Sequence, residues 1–138
     1  MKHRFTLGKQ ERLKSRKRIE QLFKEGRSFS FFPFRVQYIA VPTTADSPMH
    51  PLQAGFAVST KFFKKAVHRN RIKRLTREAY RLQKKELQQK LLANGGQLFL
   101  FIIFTGKEIP DFLVVKEKLQ LILDKLIQVI DENPPPHT

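Results

Sequence analysis

The sequence predicts an α+β domain with helices packed on one small sheet, and three observations carry that prediction. One segment, 32–41, alternates apolar and polar residues as half-buried strands do, and 53–60 reads as a second strand. One run, Leu98 to Phe104, is apolar throughout and reads as a central strand covered on both faces. Around them lie three stretches with apolar residues at helical spacing. At 138 residues, 41% of them hydrophobic, the chain suits a single domain with one core.

In chain order, residues 14–25 form a short helix, with Ser15 as N-cap and Gly26 as its stop. The first strand, 32–41, turns Phe34, Val36, Tyr38 and Ala40 to one face. Two prolines and several small polar residues mark 43–51 as a loop before the second strand. A long helix from 65 to 90 ends at Gly95-Gly96, which leads into the apolar strand. Asp111 caps a last helix, 112–131, whose apolar residues at 112, 115, 119, 122, 126 and 129 keep one face. The domain is expected to run from 1 to 133. Residues 1–12 are expected to form a mobile basic arm and 134–138 a frayed tail.

Charge says what the domain meets. The formal net charge is +15, which implies a polyanionic partner. Residues 1–30 hold ten Lys/Arg against three Glu, and residues 61–85 hold eleven against one. The other 83 residues are slightly acidic. On a wheel of about 100° per residue, Ile72, Leu75, Ala79 and Leu82 share one side of the long helix, and Arg69, Lys73, Arg74, Arg77 and Arg81 cover the opposite side. Such a column repels itself unless an anion is bound, and a phosphate backbone supplies one. Arginine can hold a phosphate through two parallel hydrogen bonds, and Asn70 beside it can reach a phosphate or a 2′-hydroxyl. A solvated helix face would carry the same charges, and a membrane-surface helix would need a freer apolar face.

Other classes find little support. There is no cysteine, hence no disulfide framework and no cysteine-based metal site or nucleophile. The four histidines are scattered, and no paired carboxylates, Gly-rich phosphate loop or metal-ligand spacing appears. We therefore assign no catalytic and no metal-binding residue. The N-terminus lacks the apolar stretch of a secretory signal, and no run approaches the roughly 20 apolar residues that span a membrane. A cytoplasmic protein without a membrane partner is the expectation.

The run from Ala66 to Leu75, AVHRNRIKRL, followed by Arg77-Glu78-Ala79-Tyr80-Arg81, resembles the Arg-Asn-Arg signature of the bacterial ribonuclease P protein subunit. GFAVSTK before it resembles that family's preceding strand, and RIEQLFKEG its first helix and turn. The resemblance covers nearly the whole chain, with residues 55–81 the specific part. It implies a fold like the second domain of ribosomal protein S5, a small mixed sheet whose signature helix sits in a left-handed βαβ crossover. It implies an accessory subunit with no required protein partner. A catalytic RNA would hold the Mg2+ and cleave the 5′ leader from precursor tRNA. Lys61, Lys64, Lys65, Arg69, Asn70, Arg71, Lys73, Arg74, Arg77 and Arg81 would meet the RNA subunit. Phe23, Phe34, Val36 and Tyr38 would line a cleft for the leader. Phe34 and Tyr38 suit a core equally well, since strand aromatics usually pack. The chain departs from the family pattern at Ile19, where an aromatic is common, and at Lys64, where a glycine is. The alternative is a structural RNA-binding protein of ribosomal type, which the charge and fold class fit equally.

Overall fold

The computed structural model describes residues 11–43 and 50–132. Residues 1–10, 44–49 and 133–138 lie outside it, and with them most of the expected N-terminal arm, most of the 43–51 loop and the proline-rich tail. Eight elements follow in order: α1 (Arg16–Glu25), β1 (Arg27–Phe31), β2 (Phe34–Pro42), β3 (Leu52–Val58), α2 (Ala66–Gln83), α3 (Lys85–Asn94), β4 (Gly96–Phe104) and α4 (Phe112–Glu132). The strands form one mixed sheet in the order β1-β2-β4-β3. β4 pairs antiparallel with β2 and parallel with β3. α2 and α3 make the crossover between the parallel pair.

Local chemistry explains the ends of the elements. The Ser15 hydroxyl accepts from the Arg18 amide at 3.2 Å, which starts α1 as expected. Gly26 ends it, its amide donating to the Leu22 carbonyl at 2.9 Å. Gly95 closes α3 in the left-handed region, at φ 78°, where glycine carries no Cβ penalty. The Asp111 carbonyl accepts the first bond of α4, from Val115 at 3.1 Å.

Two elements differ from the sequence-based expectation. β1 was not anticipated; Phe29 and Phe31 alternate with exposed residues on an edge strand paired to β2. The single helix expected over 65–90 is two helices, which meet at Lys84. No glycine or proline marks that break. Tertiary partners sit on either side of it instead: Lys84 pairs with Glu11, and Gln83 Nε2 donates to the Lys116 carbonyl of α4 at 3.0 Å. The bend lets Leu87 and Leu91 of α3 join the core.

The two faces of the sheet are covered unequally. Phe34, Val36 and Tyr38 of β2, Leu98, Leu100, Ile102 and Phe104 of β4, and Leu52, Ala54 and Val58 of β3 form one core with α2, α3 and α4. Ala40 shares that strand parity yet is exposed near the strand end. The other face is covered, among the described residues, by α1 and the segment before it. Leu13, Leu22 and Phe99 form a smaller cluster there, with Ile19, Ile39, Val41 and Phe101 packed against it.

Candidate nucleic-acid interface

The long helix is turned from its predicted orientation. Ile72, Thr76, Ala79 and Tyr80 are its buried residues, while Leu82, expected inside, is 50% exposed. On the wheel this moves the buried centre by roughly 65° toward Arg69. The reason lies in two residues that the hydrophobic count passes over. The Tyr80 ring packs edge-on against Phe56 at 5.4 Å. Thr76 satisfies its hydroxyl within the helix by donating to the Ile72 carbonyl at 2.8 Å, so it can be buried.

The rotation sorts the cations. Asn70, Arg71 and Arg74 are exposed, and Lys73 and Arg77 half-buried. Arg69 bends back, and its Nη1 donates to the Phe63 carbonyl at 2.8 Å and the Lys64 carbonyl at 2.7 Å. It fixes the loop that carries Lys61, Lys64 and Lys65, all exposed. Arg81 pairs with Glu78 at 2.7 Å, one turn away. The helix begins at Lys65 without a side-chain cap, and its first turn holds no acid, so the positive end of its dipole is unopposed by the helix's own residues.

One cation was not anticipated here. Arg12 pairs with Ala54 at the edge of β3, the next amide, Leu13, donates to the Ala54 carbonyl at 3.0 Å, and Glu11 pairs with Lys84. The end of the N-terminal basic segment thereby runs beside α2. Burial first, then repulsion from Arg12 and Arg74, push the Arg77 guanidinium below its ordinary value. No sequence spacing relates residue 12 to residue 77; the β3 edge does.

The second surface is the face under α1. Three residues expected to line a cleft there do not reach it. Phe34, Val36 and Tyr38 belong to the core beneath the other helices, where Phe34 is 1% exposed. Side chains alternate along a strand, so the opposite face of β2 presents Arg35, Gln37 and Ile39. The register sets Arg35 beside Ile103, and Gln37 beside Phe101. Gly55 of β3 pairs with Phe101 as well. A Cβ at position 55 would stand 2.6 Å from the Phe101 ring, so only glycine lets that ring lie across the strand. Phe23, 47% exposed on α1, meets the Phe101 ring at 5.5 Å. α1 is seated by Gln37, whose Nε2 donates to the Leu22 carbonyl at 3.4 Å, and by Arg18, which stacks 4.4 Å from the centre of the Phe99 ring. Past α1 the face carries exposed Arg35, Ser28 and Ser30 and half-buried Phe101, Ile103 and Ala57. Of the predicted cleft residues, Phe23 alone lies here. The alternation along β2 sets Arg35 and Gln37 on this face and Phe34, Val36 and Tyr38 on the other.

Comparison with known proteins agrees on one family. The family model described as Ribonuclease P matches residues 7–127. The ribonuclease P protein component of Porphyromonas gingivalis is 38% identical over 124 residues, covering 88% of this chain and 87% of that one. That of Chlorobium phaeobacteroides is 30% identical over 131 residues, 90% of each. Among solved structures, the RNase P protein from Thermotoga maritima superposes with a TM-score of 0.63 at 30% identity, over 83% of this chain and 96% of that one. The Staphylococcus aureus RNase P protein gives 0.61 at 22% identity, over 83% and 94%, a likeness of fold.

Proposed function

The chain belongs to the ribonuclease P protein family, and from that premise we propose how its two surfaces divide the work of the ribonucleoprotein. Members are the protein component of an enzyme that matures the 5′ end of tRNA by RNA catalysis, and ribonuclease P RNA is the partner this implies. In our reading, the exposed side of α2, with Asn70, Arg71, Lys73, Arg74 and Arg77, binds that RNA. Lys61, Lys64 and Lys65 extend the surface. Arg69 and Arg81 act at its edges, where Arg69 also holds the loop. The face under α1 receives the 5′ leader of precursor tRNA. Phe23 and Phe101 offer rings to unpaired bases, while Arg35 and the cations of α1 follow the phosphates.

The observation that carries this reading is the placing of aromatic rings and cations together on a face that the other helices leave open. Among the described residues no three His, Cys, Asp or Glu lie close enough to hold a metal ion. We assign the magnesium ions of the reaction to the RNA, as membership of the family implies. No described helix is long and apolar enough to cross a membrane, and the reading puts the protein in the cytoplasm with its tRNA substrates.

The test is reconstitution. The purified chain is mixed with a bacterial ribonuclease P RNA and precursor tRNA at low magnesium. Leader cleavage should rise well above that of RNA alone, and the chain alone should cut nothing. Absence of stimulation overturns the reading in favour of a structural RNA-binding role.

A further inference from the structure

A third surface lies at the end of the sheet where the loops after β3 and β4 meet the β1–β2 turn. These loops are tied together. The Ser59 amide donates to the Phe104 carbonyl at 3.1 Å, and the Thr105 amide to the Pro33 carbonyl at 2.8 Å. Gly106 packs so closely that a Cβ there would stand 2.7 Å from the Phe104 ring and 3.1 Å from Pro33. Within the 59–65 loop two adjacent phenylalanines part company. Phe63 is buried, its ring centre 6.0 Å from that of Phe104. Phe62 is 41% exposed. Arg69 clamps the carbonyls of Phe63 and Lys64, which fixes this alternation. Two ammonium groups stand over the Phe62 ring, Lys61 Nζ at 5.4 Å and Lys107 Nζ at 5.5 Å from its centre. Lys107 also lines an adjoining hollow of about 510 Å³, walled by Phe32, Pro33, Phe104 and Ile109. That volume falls in the range of about 300–1,000 Å³ typical of small-ligand sites.

We propose that Phe62 is a stacking platform for one unpaired nucleobase of bound RNA, with Lys61 and Lys107 taking the phosphates on either side of that base. An exposed ring held on a tied loop costs little entropy to use, and base stacking on aromatic rings beside cations is how single strands are held without sequence readout. The lysines contact the ring at the long end of cation–π range, so a base can displace them toward phosphate. Glu108 and Asp111 also line the hollow. They steer the anionic backbone toward Lys61, Lys64 and Lys65. The site rests on the RNA-binding reading above and adds to it an aromatic residue within the loop that extends its first surface.

The unpaired base has two sources, the catalytic RNA or the precursor leader, and binding to the reconstituted components separates them. One arm measures the chain against the catalytic RNA. The other measures the assembled complex against precursor tRNA with and without its leader. Phe62→Leu keeps apolar bulk and removes the ring; Phe62→Trp enlarges it. The expected result is about tenfold weaker binding for Phe62→Leu in one arm, with Phe62→Trp matching the parent. The affected arm names the source. Parent-like binding by Phe62→Leu in both arms overturns the proposal, as does equal loss in Phe62→Trp. The chain has no cysteine, so Phe62→Cys accepts a single aryl-azide probe. Crosslinks to unpaired nucleotides support the platform, and crosslinks confined to duplex, or none, overturn it. A parent chain that fails to stimulate cleavage sinks the functional reading; a parent that stimulates beside an unaffected Phe62→Leu sinks the platform alone.

Discussion

The two faces of the sheet are made by alternate residues of the same strands, and they have opposite characters. Leu100 and Phe101 are neighbours on β4. Leu100 is fully buried under the helices, and Phe101 lies half-buried beside Phe23 on the other side. On the first face Val36, Leu100 and Ile102 at the centre of β2 and β4 are fully buried, and burial of that kind supplies most of the free energy of folding. On the second, one helix of ten residues covers part of the area and leaves rings and cations in reach of solvent. On the proposed reading, stability and recognition are separable in this fold, residue by residue along a strand.

Substitutions at the two neighbours are the sharpest way to break that comparison. Leu100→Ala should cost about 2–5 kcal/mol of stability, read from denaturant midpoints, because it leaves a cavity in a packed core. Phe101→Leu should cost far less stability yet weaken binding of leader-bearing precursor by about 1–3 kcal/mol, with no change toward a leaderless tRNA. If both variants lose stability alike, the faces are not separable. On α2 the comparison is between Arg74, which is exposed, and Arg69, which is tied to the loop. Arg74→Gln should lower the slope of log affinity against log salt for the catalytic RNA by about one, without moving the melting temperature. Arg69→Gln should lower the melting temperature by an amount worth about 1–2 kcal/mol, since it frees two carbonyls from a charged donor. The smallest effect is expected at Tyr80. Burial pushes its phenol far above the ordinary value, and the hydroxyl has no hydrogen-bond partner among the described residues. Tyr80→Phe should leave stability unchanged or raise it by up to about 1 kcal/mol, checked by thermal melting.

Much of the fold was legible because hydrophobic period is a local property. The apolar run at 98–104 became the central strand, Ser15 and Gly26 bound α1, and Asp111 opens α4. The split at Lys84 was not legible, because its partners Glu11 and Lys116 come from distant segments. The charged helix was legible as a helix but not in its rotation, since Thr76 and Tyr80 are buried through contacts a hydropathy count does not weigh. The expected cleft residues of β2 fall on the sheet face opposite α1. Periodicity distinguished the two faces there but did not say which one the larger helices cover. The apolar set, Phe34, Val36 and Tyr38, went to the core, and the set with Arg35 and Gln37 went to the face that α1 partly covers.

The central place of β4 also dictates an order of events at the ribosome. Its partners, Phe34–Pro42 and Leu52–Val58, leave the exit tunnel long before Gly96–Phe104 does. Until that last strand arrives, β2 and β3 each have a bare edge, and α2 has no finished surface to lie on. A nascent chain stopped before residue 104 is thus a cationic polymer with its signature sequence already present and its geometry still missing. Discriminating contact with the RNA subunit has to wait for residues 96–104 and beyond, and whatever the earlier segments bind before then, they bind by charge.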